Sequence, residues 1–226
     1  MASVKAAAQR LTGKQAAVKP LPPEQRRPPL ADPEPEPSPP ATSSGAPAGA
    51  TSATLSIGPR KAPVKLELFT DFQCPFCAKL HDTLLELVRR HPGKIHLQHR
   101  DYPLDPACNA AISSPFHPMA CEAAFVARCA APQGKFWEMA ALLYKAGRGL
   151  DDAKLAELGK QLKLNERKLK VCLKSPRTRA AVVADIALGR SRSVSGTPAT
   201  LVNGQMVGGA QELDFWEERV KGLIGP

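Results

Sequence analysis

Two cysteines separated by two residues are the part of this 226-residue sequence best suited to chemistry: Cys74, Pro75, Phe76 and Cys77 follow one another directly. If the motif opens a helix, its thiols lie roughly one helical turn apart and can form and break a disulfide with each other. The same spacing also supplies half of a tetrahedral zinc site, or two inert core residues. The elements that position the motif must decide between these possibilities.

The residues around the motif predict a strand before it and a helix after it. Residues 64–70 (VKLELFT) alternate apolar and polar side chains and then become apolar, which is typical of a strand that enters a core. Apolar residues recur at helical spacing over residues 76–90, and His91 with the Pro-Gly pair after it ends this pattern. Residues 94–100 (KIHLQHR) alternate again. The motif therefore lies at the strand-to-helix junction of a β-α-β unit.

A cysteine at such a junction is activated by the helix that follows it. Free backbone N–H groups and the positive end of the helix dipole stabilise a thiolate, which lowers the pKa of the thiol. Pro75 in the first turn removes no needed donor. We therefore predict Cys74 as the exposed nucleophile and Cys77 as the more buried resolving thiol. No metal is predicted, because there is no second CxxC and the five histidines show no ligand pattern.

Composition divides the chain near residue 62. Residues 1–63 contain 13 of the 23 prolines and no Cys, Phe, Tyr or Trp. Such a segment buries too little apolar surface to offset its ordering entropy. We predict a disordered Pro/Ala-rich tail or linker over residues 1–61, with an extended spacer at 33–40, and one compact domain over residues 62–226.

Charge and cysteine content limit the partners and the compartment. The formal charge is +10, but the basic residues are neither in long blocks nor interleaved with aromatic side chains, so no nucleic-acid partner is predicted. No run approaches about 18 apolar residues, and the first residues lack a secretory signal pattern. The even count of six cysteines nevertheless favours an oxidising compartment, periplasmic or otherwise extracytoplasmic.

The rest of the chain predicts inserted helices followed by a hairpin and a final helix. Asn203 and Gly204 are a strong type I′ turn signal between two short strands, and Asn165 is a sound helix N-cap. Phe116 and Phe136 are interpreted as core residues. The predicted helices cover residues 118–130, 136–145, 151–162, 165–173, 178–188 and 213–224, and the hairpin covers residues 199–207.

Three segments resemble the DsbA-like family of thiol–disulfide oxidoreductases: residues 69–77 (FTDFQCPFC), 133–137 (QGKFW) and 194–204 (VSGTPATLVNG). The resemblance extends over roughly residues 62–224. It implies an α/β, thioredoxin-like fold with an α-helical subdomain inserted at about residues 106–190.

The same resemblance implies roles for individual residues. The bond between Thr197 and Pro198 is expected to be cis, and its loop is expected to pack against the Cys74–Cys77 pair. Pro75, Phe76, Thr197 and Pro198 would then contact extended substrate peptides, and no organic cofactor would be needed.

Family resemblance further implies an enzyme that oxidises or shuffles disulfides in exported proteins. Residues 108–121, with Cys-Asn at one end and His-Pro-Met-Ala-Cys at the other, are similar to the version fused to vitamin K epoxide reductase-type membrane proteins. That likeness implies a membrane redox partner. The alternative is a redox-inert or zinc-stabilised thioredoxin-like binding module.

Two departures from the family pattern affect the expected chemistry. Phe76 replaces the histidine that strongly oxidising members carry between the cysteines, and it offers neither charge nor polar hydrogen to a thiolate, so a weaker oxidant is predicted. Leu68 stands where some members carry a buried acid, and Glu67 should point to the other face of the strand. A proton relay beneath the motif is therefore not expected.

The remaining cysteines are candidates for structural disulfides. Cys121 and Cys129 are eight residues apart on one predicted helix, about 12 Å along its axis, which is too far for a bond. Of the two remaining pairings we prefer Cys108–Cys121 together with Cys129–Cys172. Free buried thiols, or a second redox pair that relays electrons to the motif, remain alternatives.

Overall fold

A five-stranded mixed sheet lies at the centre of the fold. The strands are β1 (Ser56–Ile57), β2 (Val64–Thr70), β3 (Ile95–Asp101), β4 (Ala199–Val202) and β5 (Gln205–Gly208). In the computed structural model, which describes residues 55–224, their order across the sheet is β1-β3-β2-β4-β5. β2 and β3 are parallel, and every other neighbouring pair is antiparallel.

Seven helices accompany the sheet within residues 55–224. They are α1 (Pro75–Arg90), α2 (Ala120–Ala130), α3 (Phe136–Ala146), α4 (Asp152–Gln161), α5 (Glu166–Leu173), α6 (Pro176–Ser191) and α7 (Leu213–Ile224). α1 connects β2 to β3, and α7 follows β5. The five helices from α2 to α6 occupy the connection between β3 and β4, so they form the inserted helical region.

The β2-α1-β3 unit brings the carboxyl ends of two strands to the same edge of the sheet. Val64 pairs with Ile95 and Thr70 pairs with Asp101 in one parallel register. Parallel neighbours need a crossover connection, which α1 supplies. The chain that leaves β2 after Thr70 therefore starts α1 at this edge, and the CxxC motif lies at that start.

The two faces of β2 pack against different hydrophobic cores. Leu66 and Leu68 are buried with residues of α1 and α7, including Trp216. Phe69 points to the other face and packs with the inserted helices; there Gly189 of α6 lies so close that a Cβ atom would be 3.0 Å from the Phe69 ring. Because side chains alternate along a strand, one strand supports both layers.

The α/β architecture predicted from the sequence is confirmed. β2 has the predicted bounds, and every predicted helix starts within two residues of its expected position. Asn203 and Gly204 both have positive φ, 47° and 88°, as a type I′ turn requires. Asn165 accepts a hydrogen bond from the backbone N–H of Lys168 at 2.9 Å, which confirms it as an N-cap.

The folded domain begins earlier than the predicted boundary at residue 62. β1 pairs with β3, and Leu55 is only 3% exposed. Composition concealed this strand, because it has two residues and no aromatic side chain. Residues 55–61 therefore belong to the domain, and the rest of the predicted disordered tail, residues 1–54, lies outside the described residues.

Two disulfide bonds cross-link the inserted region, in the pairing preferred from the sequence. Cys108–Cys121, with an S–S distance of 2.03 Å, joins the segment after β3 to α2. Cys129–Cys172, with an S–S distance of 1.97 Å, joins α2 to α5. The closed loops differ in length, with sequence separations of 13 and 43 residues.

Loop length predicts unequal contributions of these bonds to stability. A cross-link restricts the unfolded chain more when it closes a longer loop, so the entropy relation gives about 3 kcal/mol for Cys108–Cys121 and about 4 kcal/mol for Cys129–Cys172. Paired Cys→Ala variants should lower the free energy of unfolding by these amounts in urea denaturation. An unchanged unfolding midpoint in both variants would contradict this assignment.

Candidate active site

Cys74 caps the N-terminus of α1. Its backbone is extended, with φ −81° and ψ 118°, and its carbonyl accepts the N–H groups of Cys77 and Ala78 at 3.1 and 3.2 Å. Pro75 is the first helical residue, and the Cys74 side chain makes no capping hydrogen bond. The sulfur therefore lies beside the backbone N–H groups at the start of α1, where the positive end of the helix dipole stabilises a negative charge.

The loop before β4 forms the second wall of the site. The Thr197–Pro198 bond is cis, as the resemblance implied. Cys74 Sγ lies 3.6 Å from the carbonyl oxygen of Thr197, and Pro198 is buried. The fold thus brings the motif and this loop into contact across 123 positions of sequence.

Cys74 is less accessible than the sequence suggested. The residue is only 5% exposed, so the description of an exposed nucleophile was wrong, because the Thr197 loop packs over it. Cys77 is 0% exposed, so Cys74 is the more accessible of the two, in the expected order. Phe76 is 64% exposed, and Pro75 is exposed as well, so an apolar surface borders the sulfur.

The two free thiols of the motif have opposite pKa shifts. A hydrogen bond from the Cys77 thiol is the largest cause that lowers the pKa of Cys74 from 9.0 to about 6. Burial opposes this shift, whereas the backbone N–H groups of Cys77 and Phe76 and the Thr197 side chain add to it. Burial, followed by the interaction with Cys74, raises the pKa of Cys77 well above 9.0. At neutral pH the site therefore holds one thiolate and one thiol.

A pair of hydroxyl groups lies on the buried side of Cys77. Thr70 Oγ1 and Tyr144 Oη are 2.6 Å apart, and the Thr70 hydroxyl also hydrogen-bonds with Cys77. Burial raises the pKa of Tyr144 well above its ordinary value, so its phenol keeps its proton. Sequence reasoning missed this pair, because Tyr144 belongs to an amphipathic helix pattern that gives no sign of what its hydroxyl contacts.

The expectation for the strand beneath the motif agrees with the structure. Leu68 is buried in an apolar core, and Glu67 points to the other face. There it accepts a hydrogen bond from the Arg100 guanidinium at 3.0 Å. β2 therefore offers no buried acid to the cysteines.

The neighbouring strand, β3, carries a buried acid at the same edge of the sheet. Asp101, the register partner of Thr70, is buried and binds both His99, at 2.9 Å, and Arg128. Burial raises the pKa of Asp101, but the charge of Arg128 and the hydrogen bond of His99 outweigh it, so the pKa lies below its ordinary value. Arg128 also binds Asp185 of α6, which compensates its charge. The sequence analysis missed this network, since its members lie on three separate elements.

Asp71 and His117 form a second polar cluster near Cys74. His117 Nδ1 lies 2.9 Å from Asp71 Oδ2, and both residues are buried. The Asp71 carbonyl accepts the N–H of Cys74 at 3.2 Å, so this carboxylate stands directly at the turn that leads into the motif. The hydrogen bond and charge of Asp71 raise the pKa of His117 against the effect of burial.

The segment between Cys108 and Cys121 also places an aromatic residue on the surface. Phe116 is 71% exposed, so its interpretation as a core residue was wrong, whereas Phe136 is buried as predicted. The reason is its neighbour: His117 turns inward to Asp71, and the adjacent side chain is left outside.

The ligand geometry does not favour zinc at the motif. Within residues 55–224, the one group of three closely spaced candidate ligands consists of Asp105, Cys121 and Glu122, and its cysteine is already in a disulfide. A structural zinc site needs four ligands, and neither Cys74 nor Cys77 belongs to a group of even three candidate ligands. The arrangement at the motif is suited to thiol–disulfide exchange.

Curated relatives are much longer than this chain. It is 33% identical over 148 residues to a protein named Na(+)/H(+) antiporter NhaA 3 from Salinispora tropica, and 32% identical over 157 residues to NhaA 1 from Salinispora arenicola. These matches cover 66% and 70% of the chain, which spans about a fifth of the length of either relative (21% and 22%). Among residues 55–224, every helix is too short or too polar to cross a membrane.

Solved structures with the same fold include a protein named as a thiol–disulfide exchange protein and one named as a thioredoxin-like oxidoreductase. The thiol–disulfide exchange protein α-DsbA2 of Wolbachia pipientis has a TM-score of 0.64 at 19% identity, covering 74% of this chain and 86% of that one. The catalytic domain of ScsC from Proteus mirabilis has a TM-score of 0.62 at 23% identity, covering 77% and 90%. A thioredoxin-like oxidoreductase from Silicibacter pomeroyi has a TM-score of 0.61 at 21% identity, covering 76% and 96%.

A family model described as thioredoxin matches residues 50–222, which is most of the chain and includes both walls of the site. Together with the structural matches, this shows that the chain belongs to the thioredoxin family and has the DsbA-like form of its fold.

Proposed function

We propose that the chain is an enzyme that exchanges disulfides with protein substrates through Cys74 and Cys77. The observation that carries the proposal is the asymmetry of the two thiols: Cys74 lies at the start of α1, where its pKa is lowered to about 6, and Cys77 lies fully buried, where its pKa is raised. The thiolate is the species that attacks a disulfide or leaves from one, and the second thiol resolves the mixed disulfide.

In the oxidising direction, a substrate thiolate attacks Cys74 Sγ of the Cys74–Cys77 disulfide. A bond forms between the substrate sulfur and Cys74, and Cys77 leaves with the electron pair and takes a proton. A second substrate thiolate then attacks the first substrate sulfur, which forms the substrate disulfide and releases Cys74 as a thiolate. Two electrons pass to the motif, and of the two substrate protons one ends on Cys77 and one in the solvent at neutral pH.

The proposed substrate surface consists of the exposed Pro75 and Phe76 and of the loop at Thr197 and Pro198, in which Thr197 is partly exposed and Pro198 is buried. Phe76 offers an exposed ring next to the sulfur, and the Thr197 carbonyl already faces Cys74. An extended peptide that presents a cysteine to this surface would have main-chain and apolar partners on both sides of its sulfur.

We propose a moderate oxidant that works outside the cytoplasm. A pKa of about 6 for Cys74 lies between those of a strongly oxidising DsbA, about 3.5, and of thioredoxin, about 7. A low pKa stabilises the reduced dithiol and thus raises the oxidising power of the disulfide. The two structural disulfides support an oxidising compartment such as the periplasm, where such bonds persist.

A catalytic oxidase must also pass its two electrons on. We propose a membrane oxidoreductase of the vitamin K epoxide reductase type as the acceptor, on the basis of the sequence pattern at residues 108–121. The reaction class is dithiol oxidation by a quinone-linked membrane protein. The test mixes the reduced protein with such a purified partner and quinone and follows reoxidation of Cys74 and Cys77. A motif that stays reduced over many turnover times would contradict the proposed acceptor.

The first prediction concerns the division of labour between the thiols. Cys74→Ser should abolish both oxidation of reduced ribonuclease A and reduction of insulin, because no nucleophile or leaving group remains. Cys77→Ser should still attack, and mixed disulfides should accumulate on Cys74 in non-reducing gels. As a control, the paired Ala variant of Cys129 and Cys172 should keep exchange activity. Exchange by Cys74→Ser at the parent rate would refute the proposed function.

The second prediction concerns pH. Below pH 6 the reduced motif binds two protons for two electrons, so the reduction potential of the pair should fall by about 59 mV per pH unit. Above pH 6, where Cys74 stays ionised in the reduced form, the slope should halve to about 30 mV. Equilibration with glutathione between pH 4.5 and 8 measures the bend. A single slope through this range would show that Cys74 is not acidified.

The third prediction concerns the residue between the cysteines. Phe76→His should lower the pKa of Cys74 below its parent value of about 6, because a protonated imidazole there stabilises the thiolate. The exposure of Phe76 means that folding should be unaffected. Thiolate absorbance at 240 nm against pH gives the pKa, and Phe76→Leu is the neutral control. Equal pKa values in the two variants would count against the explanation given for a moderate oxidant.

A further inference from the structure

His117 is a buried histidine that reaches the motif from a distant segment. Its Nδ1 bonds with Asp71, and its backbone N–H donates to the carbonyl of Leu104 at 3.3 Å. Two residues later, the N–H of Met119 donates to Gln73 Oε1 at 2.7 Å. The segment is therefore bound to the residues three and one positions before Cys74.

The partner of His117 determines where its protons are. A carboxylate only accepts hydrogen bonds, so the Nδ1 that faces Asp71 carries a proton. Asp71 is held in place by two backbone donors, the N–H groups of Gln73 and Leu104, each at 2.7 Å. The other ring nitrogen, Nε2, makes no hydrogen bond within residues 55–224, and its protonation decides whether the ring is a cation.

Three charged groups act on the His117 ring. Asp71 and the Cys74 thiolate favour its protonated form, and Arg148, in the turn after α3, opposes it. Two anions against one cation favour imidazolium. Coupling between two sites is reciprocal, so a thiolate that favours imidazolium is itself favoured by that imidazolium.

The position of His117 is also fixed covalently. The loop that carries it is closed by the Cys108–Cys121 bond, which leaves only twelve residues between the linked positions. A short cross-linked loop has few conformations, and the His117 carbonyl also accepts the N–H of Ala120 at the start of α2, so the ring stays on Asp71 at the turn that leads into Cys74.

We propose that His117 is a positioning residue of the exchange reaction, an imidazolium that is fixed by Asp71 and favours the thiolate of Cys74 from outside the CxxC motif. A cation between the two cysteines would stabilise the thiolate in the same way, but Phe76, which occupies that place, carries no charge. This inference deepens the proposed function and rests on it for its biological meaning, but thiolate formation is measured without any substrate.

The test compares two histidines that bind carboxylates at opposite ends of α1. His117→Gln keeps an N–H donor for Asp71 and removes the charge; it should raise the pKa of Cys74 by about one unit. Alkylation of reduced protein by iodoacetamide at pH 5 should then slow about tenfold. His91→Gln is the matched control, because His91 binds Glu217 at 2.7 Å beside the last turn of α1, and its alkylation rate should equal that of the parent.

A second measurement leaves His117 itself unchanged. In NMR titrations, the pKa of His117 should be lower in Cys74→Ser than in the reduced parent, by about the amount that His117→Gln raises the pKa of Cys74.

A third variant tests the charge itself. His117→Lys should be alkylated faster than His117→Gln, since it restores a positive charge at this position.

The outcomes separate the two proposals. An unchanged Cys74 pKa in His117→Gln, or an equal change in His91→Gln, overturns the role of His117. If His117→Gln does not fold, an identical His117 titration in the parent and in Cys74→Ser overturns it equally. If the parent protein exchanges no disulfides but His117→Gln still raises the pKa of Cys74, the role of His117 is upheld and the proposed function is refuted.

Discussion

The chemistry proposed for this chain depends on stabilising a thiolate at Cys74 in a place that water barely reaches. Burial alone would favour the neutral thiol of Cys74, and it does so for Cys77. The difference between them is position: Cys74 lies at the N-terminus of α1, beside the backbone N–H groups of the first turn, and it accepts a hydrogen bond from the Cys77 thiol. Parallel pairing of β2 with β3 fixes where α1 begins, and the Thr197 loop closes the site from the far end of the chain.

The inserted helical region completes this site as well as enlarging the fold. Tyr144 of α3 places its hydroxyl on Thr70 beside Cys77. Arg128 of α2 compensates the buried charge of Asp101 under the sheet edge. A thioredoxin core without these helices would keep the motif, but it would lose the groups that set the polarity on its buried side. The Cys108–Cys121 disulfide, which closes the loop that carries His117, therefore contributes to the environment of the motif as well as to stability.

The sequence predicted the features that local pattern encodes. A few neighbouring residues are enough to predict the CxxC motif, the β-α-β unit and the Asn203-Gly204 turn. The same holds for the bounds of the helices. The site partners that were missed all depend on contacts between distant segments. Asp101 is the last residue of an alternating strand, and His117 lies in a loop without any periodicity, so neither gives a local signal. β1 was missed for another reason, since a two-residue strand is stabilised by its partner β3 and not by its own composition.

The attachment of α5 has a consequence for the protein in different surroundings. This helix has no fully buried residue, and Val171 remains 66% exposed. Cys172, half-buried, joins it to α2 through sulfur. Leu169 is the apolar contact of α5 with the core, so a helix with so little buried surface depends on that bond to keep its place. In a glutathione-rich medium, α5 would be the first segment to detach and become open to proteases, so the lifetime of the folded domain would depend on the compartment in which it resides.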